Sequence, residues 1–189
     1  MATNVEIANM ALSLIGSANR ITVLDGNGSE ENRQCFLHYE PARDALLRSH
    51  AWNFAVTRVK LTTTAAGTPP FGYANWFALP ADCLRVLYVN EDAYEYKVEA
   101  GKVLTDSTPV DLVYVKKVTD AALFDSQFVQ LLALALAVRI SVKLSDNANL
   151  KESLKADFRD MIRDARTFDA QEGGTPDGLY ADGWINSRA

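Results

Sequence analysis

The stretch from residue 128 to residue 142 restricts the fold more than any other. Phe128, Leu131, Leu132, Ala135, Leu136, Val138 and Ile140 cover nearly the whole circumference when the segment is wound as a helix. A helix that is apolar around its whole circumference has to be surrounded by other elements. The rest of the chain must therefore wrap this one helix. Ala133, Ala135 and Ala137 would let neighbours approach closely. Gln130 and Arg139 interrupt the run and leave 131–138 unbroken, roughly 12 Å as helix. That falls short of a bilayer core of about 30 Å, so a soluble protein with no membrane segment is expected.

Helical wrapping is available at both ends of the chain. Thr3 and Glu6 have capping-box spacing, and Ile7, Ala11, Leu14 and Ile15 follow at helical period. Together they predict a helix over about 4–15, stopped by Gly16. Ser29 is a cap for a second helix, with Glu30 and Glu31 at the positive end of its dipole. Phe36, Tyr39, Arg43, Leu46 and Leu47 continue it, and Pro41 is expected to kink it or to begin a new helix. A last long helix carries the stripe Leu150, Leu154, Phe158, Met161, Ile162 and Ala165.

The middle of the chain has a different period. Phe54, Val56, Val59 and Leu61 suit an extended segment, and 62–70 is rich in Thr, Ala, Gly and Pro, hence a loop. Phe71, Tyr73, Trp76 and Phe77 cluster around that loop. Residues 84–89 read as a strand, 94–98 and 103–104 as a hairpin with Gly101 in its turn, and 110–115 as an alternating strand. Segregated helices and strands define the α+β class. The organisation expected is an antiparallel helical bundle built from both chain ends (1–53 and 118–172). A small antiparallel β lobe (54–117) is inserted in the middle, and an extended C-terminal tail (173–189) follows.

The chemistry in the sequence is sparse. Composition is that of a globular domain, 48% apolar and 23% charged. The formal net charge of −5 argues against a main role in gripping nucleic acid, which needs Lys and Arg to displace counterions. Cys35 and Cys83 lie in apolar patterns without ligand-spaced partners and read as buried reduced thiols, in keeping with a cytosolic origin. The N-terminus lacks the basic and apolar regions of a secretory leader. His38 and His50 belong to no metal-binding pair and have no evident orienting partner for a catalytic triad. The DGNG turn at 25–28 fits neither a dinucleotide fingerprint nor a calcium loop, although Asp25, Asn27 and Glu30 are placed to hold a cation loosely. No catalytic residue, metal or cofactor is expected.

Two features point to adhesion instead. On the last helix Lys151, Lys155, Arg159 and Arg163 form one row, and Glu152, Asp160 and Asp164 the next. The rows read either as a solvated face of mixed charge or as complementary edges between identical subunits in a ring. Beyond a Gly–Pro linker the tail carries Tyr180, Trp184 and Ile185. Such groups are typical interface anchors. They dock either on their own subunit or on a partner.

Several short motifs, in order along nearly the whole chain, resemble the bacteriophage head-to-tail adaptor family, also called tail tubular protein A. They are ANMALSLIG at 8–16, YEPARDALLR at 39–48 with AWNFA at 51–55, and LPADCLRV at 79–86. VTD at 118–120 with LFD at 123–125 and Phe128 follow, and WINSR at 184–188 closes the series, similar to the family's terminal Trp-x-x-x-Arg.

The resemblance implies a structural virion protein rather than an enzyme. Subunits would form a ring, generally of twelve copies, beneath the portal protein, and receive the tail nozzle protein (tail tubular protein B). DNA would pass through the lumen without specific binding, and an acidic balance suits that passage. The protein would reside in the neck of the virion, and in host cytoplasm before assembly. On this view Tyr180, Trp184, Ile185 and Arg188 meet the portal. Phe71, Tyr73 and Trp76 meet the nozzle or a neighbour, and Lys155, Arg159, Arg163, Glu152, Asp160 and Asp164 lie between subunits. The rivals are another neck or tail-completion protein, a tail-associated cell-wall hydrolase, and a cytoplasmic regulator that binds a helical partner.

Overall fold

A computed structural model describes residues 2–62, 64–65, 67–90, 95–145 and 147–172. The protein is α+β: the described residues form four α-helices and two small antiparallel sheets of three strands each. Helix α1 spans Asn4–Leu14, α2 Glu30–Ser49, α3 Ser126–Leu144 and α4 Ala148–Glu172. Every strand lies between α2 and α3 in the chain: β1 Val56–Leu61, β2 Asn75–Ala78, β3 Cys83–Val89, β4 Tyr96–Glu99, β5 Lys102–Thr105 and β6 Val110–Lys116.

The helices begin where side chains satisfy their free N–H groups. Thr3 and Glu6 close a reciprocal capping box on α1. The Ser29 hydroxyl accepts from the Asn32 amide, and Asp125 accepts from Gln127 at the start of α3. At α4 the Asn147 side chain accepts from the amides of Asn149 and Leu150. Helix α2 runs unbroken through Pro41. Of the two outcomes expected at Pro41, a new helix is corrected: one helix continues through it, with Tyr39, Ala42, Leu46 and Leu47 buried on both sides of the proline.

Helix α3 is the centre, and α1, α2 and α4 each pack against it. It is 19 residues long and carries Gln130 and Arg139 within it. By length and composition α3 is able to cross a membrane, and 56% of that window is buried inside the protein. Val142 remains exposed near its end.

The strands form two sheets where one had been expected, ordered β1-β6-β3 and β2-β5-β4. Strand β6 separates two apolar clusters by its alternation. Val110, Leu112 and Tyr114 face a small cluster with Phe77, Val89 and Val103, while Val115 joins the large helical cluster. The predicted hairpin is β4–β5, in register Glu99↔Lys102, with both turn residues at positive φ (Ala100 +48°, Gly101 +72°). That is the pattern a tight two-residue turn requires. Tyr94, assigned to the first arm of the hairpin, lies outside the described residues.

An aromatic cluster joins the helices to the strands. Phe128 of α3 meets Trp52 at 5.3 Å, Phe54 at 5.0 Å and Phe124 at 4.9 Å between ring centroids, edge to face in each case. Such arrangements add about 0.5–1.5 kcal/mol per pair beyond the area buried. The Trp52 indole N–H donates to the Leu46 carbonyl at 3.0 Å, so its polar edge is also satisfied. Arg43 is 2% exposed, and its Nε donates to Asp44 Oδ1 at 2.9 Å. Asp44 also receives Lys117 Nζ at 2.9 Å, which ties α2 to the segment after β6.

Candidate functional site

Helices α2 and α4 both lean on α3 and leave an open groove of about 520 Å³ between them. Its floor is apolar: Ala42, Ala45 and Leu46 from α2, Ala135 and Val138 from α3, Phe158 and Ile162 from α4. The opening exists because three alanines stand where larger side chains would fill the space. Ala135 therefore lines a gap, whereas Ala133 and Ala137 are fully buried. Four cations rim the groove: Arg139 on α3, and Lys155, Arg159 and Arg166 on α4.

The groove is closed at one end by a clasp between α4 and the exit of α2. Asp169 Oδ2 lies 2.9 Å from His50 Nε2, and its other oxygen accepts the Asn53 amide at 2.9 Å. The Asn53 side-chain amide donates to the Asp169 carbonyl, and Arg166 Nη2 donates to the Ser49 carbonyl at 3.2 Å. His50 also stands edge-on to Trp52 at 4.9 Å. The orienting partner that His50 lacked in the sequence is thus Asp169, more than a hundred residues away. Among the described residues no hydroxyl or thiol is hydrogen-bonded to His50, and Asp169 ties the end of α4 to the exit of α2 through His50 and Asn53.

The rim charges are unequally engaged. Lys155 Nζ pairs with Glu152 at 2.7 Å, and this contact, above all its hydrogen bond, holds the Glu152 carboxyl below its usual range. Arg139 and Arg159 are exposed and make no ion pair among the described residues. Arg166 Nε is buried without a hydrogen-bond partner there. Arg139 also lies close enough to His38 to act with burial, the larger cause, in lowering that imidazole's pKa. Arg163 turns away from the groove and pairs with Asp160 at 3.3 Å and Asp164 at 3.9 Å. The cationic row read along α4 is therefore split. Lys155 and Arg159 meet the groove, while Arg163, Asp160 and Asp164 satisfy one another on the outer face.

The aromatic trio of the middle segment also divides. Phe71 is 87% exposed, the most exposed of the large apolar side chains among the described residues, and sits between Gly67 and Gly72 in the sequence. Tyr73 is half-buried. Trp76 is not part of a loop: it belongs to β2, its indole N–H donates to the Ala65 carbonyl at 3.2 Å, and Lys102 Nζ stands 3.5 Å above its ring. One face of the ring is thus already occupied within the chain. Tyr180, Trp184, Ile185 and Arg188 lie outside the described residues.

Other titratable groups lie away from the groove. Burial, assisted by Glu31, raises the Cys35 thiol to about 11, as expected of an inert core cysteine. Cys83 is only half-buried, a correction to its reading as a core thiol, and burial again raises its pKa. Asp25 accepts from the Asn27 amide and from the side chains of Asn27 and Asn32, which lowers its pKa and occupies the oxygens a cation would need. Among the described residues no group of three or more His, Cys, Asp or Glu is placed to hold a metal ion.

Small facing residues were the available signal for the groove. The alanines at 42, 45 and 135 stand opposite Phe158 and Ile162, but their pairing requires the tertiary arrangement. The chain matches no family model and no curated protein.

Proposed function

We propose that this chain is a structural virion protein, the head-to-tail adaptor of a short-tailed bacteriophage. Copies of it form a ring, of twelve by likeness to the family, beneath the portal. The ring receives the nozzle protein and lets DNA through. The finer architecture belongs to the same proposal: an antiparallel helical bundle with an inserted β lobe and a tail that meets the portal.

One observation carries this reading. Two of the family-like motifs, AWNFA at 51–55 and LFD–F at 123–128, lie about seventy residues apart in the chain. Their rings Trp52, Phe54, Phe124 and Phe128 nevertheless meet in a single cluster at the junction of helices and strands. Motifs that are separate in sequence and joined in space support a likeness of whole fold rather than of scattered words. The exposed Phe71 offers an apolar tip of the kind a nozzle or neighbouring subunit would cover.

Negative-stain imaging of the purified protein mixed with its cognate portal is the test. The expected result is a second ring stacked on the portal, lost when residues 173–189 are deleted. Failure of the full chain to join any portal would sink the adaptor reading. Turnover of purified peptidoglycan would replace it with the cell-wall hydrolase.

A further inference from the structure

The groove between α2, α3 and α4 has an apolar floor, a cationic rim and the α4–α2 clasp at one end. Helix α4 ends at Glu172, just beyond the Asp169 clasp. The groove side chains Ile162 and Phe158 lie roughly 15–21 Å back along α4 from that point, at 1.5 Å per residue. The sequence from residue 173 onward is GGTPDGLYADGWINSRA. Seven extended residues span up to about 24 Å, so Leu179 and Tyr180 are within reach of the groove, and Gly173 and Gly174 permit the reversal. Leu179 and Tyr180 suit the floor. Asp177 and Asp182, two or three residues to either side, suit a rim on which Arg139 and Arg159 have no ion-pair partner and Arg166 Nε no hydrogen-bond partner among the described residues.

We infer that the groove is a docking site for this chain's own segment 177–185, with Leu179 and Tyr180 on the alanine-lined floor and Asp177 and Asp182 against the cationic rim. The inference goes beyond the adaptor reading and does not depend on it. A tethered segment of this length binds at high effective concentration, so modest apolar and ionic contacts suffice to hold it. Docking would cover the exposed floor and give the rim arginines carboxylate partners. It would also keep a sticky segment occupied until a stronger partner competes for it.

The test uses the full chain with Tyr180 replaced by the photo-crosslinker p-benzoylphenylalanine. Mixed light and heavy isotope-labelled protein distinguishes links within a chain from links between chains. The expected product is intrachain, with the attachment site mapped by mass spectrometry to Ala45, Val138, Phe158 or Ile162. Arg159→Glu, an exposed change that leaves the core intact, should lower the yield roughly threefold, the effect of turning one exposed ion pair repulsive. Ala45→Trp, which fills the groove from its open side, should lower it roughly tenfold. Circular dichroism confirms that both variants keep their helices. Interchain products, attachment outside these helices, or a yield that neither substitution changes would overturn the inference. Loss of portal binding with the intrachain link intact would fail the adaptor reading alone.

Discussion

The helical side and the strand side of the protein solve the same burial problem on different scales. Helices α1 to α4 share one continuous apolar cluster, running from Ile7 to Ala165 and centred on α3. Strands β2, β3, β5 and β6 close over a much smaller cluster around Phe77, Val103 and Leu112. Hydrophobic stabilisation scales with the area removed from water. The helical side is therefore expected to set global stability, with the outer sheet β2-β5-β4 opening first. Stiffness follows the same order, because the helix junction is fixed by interlocked rings whereas the outer sheet ends in an exposed hairpin.

The most severe way to break this contrast is Phe128→Ala. Removing a ring that touches three others should cost about 3–5 kcal/mol, read from urea unfolding followed by far-ultraviolet circular dichroism. A loss near 1 kcal/mol would show that the junction is not the keystone of the helical side.

Alkaline pH tests both sides at once. Cys35 on the helical side is raised from 9.0 to about 11, and Tyr114 on the strand side from 10.0 to about 12. Burial is the main cause in each, with the hydrogen bond to Asp82 adding at Tyr114. Both groups are neutral when protonated, and the native state holds those protons more tightly than the unfolded chain. Their contribution is thus complete below pH 9 and falls as pH rises from 9 towards 11 for Cys35, and from 10 towards 12 for Tyr114. For Cys35 the loss is on the order of 3 kcal/mol. Cys35→Ala should delay the first part of the decline, measured as melting temperature against pH. An unchanged profile would place the cysteine outside the balance.

A gentler change sharpens the comparison at the groove. Asp169→Ala removes the acceptor shared by His50 and Asn53 and should cost about 1–2 kcal/mol. Hydrogen exchange should then rise at the end of α4 while β2-β5-β4 stays as protected as before. Equal loosening in the strands would mean that the two sides are coupled more tightly than their separate clusters suggest.

The smallest predicted effect has the opposite sign. Ala100 stands at φ +48°, a left-handed conformation that glycine adopts without steric cost. Ala100→Gly should strengthen the β4–β5 hairpin by about 0.5–1 kcal/mol locally, visible as slower amide exchange in β5 with little change in global unfolding.

Much of the helical side could be read from the chain because its signals are local. Thr3, Ser29 and Asp125 cap helices within three residues of themselves, and the α4 stripe repeats at helical period. The hairpin turn was equally readable, since positive φ at Gly101 is demanded by the turn itself. Trp76 was less readable. Its pattern of neighbours suits a loop or a strand, and pairing with Leu104 across β5 decided for the strand. At Pro41 the alternative of a new helix failed for a related reason: the local penalty was outweighed by a buried face that spans both sides of it.

By itself the sequence determined that something had to surround 128–140, where helices start, and that the middle of the chain would pair as strands. Period, caps and turn residues act over a few neighbours and leave their mark in order along the chain. Only the tertiary structure decided that the strands divide into two sheets, that Asp169 holds His50, and that three alanines from two helices leave a groove beneath Arg139 and Arg159. Those outcomes depend on which faces meet across long separations, and the free energy of such meetings belongs to the assembled packing rather than to any one segment.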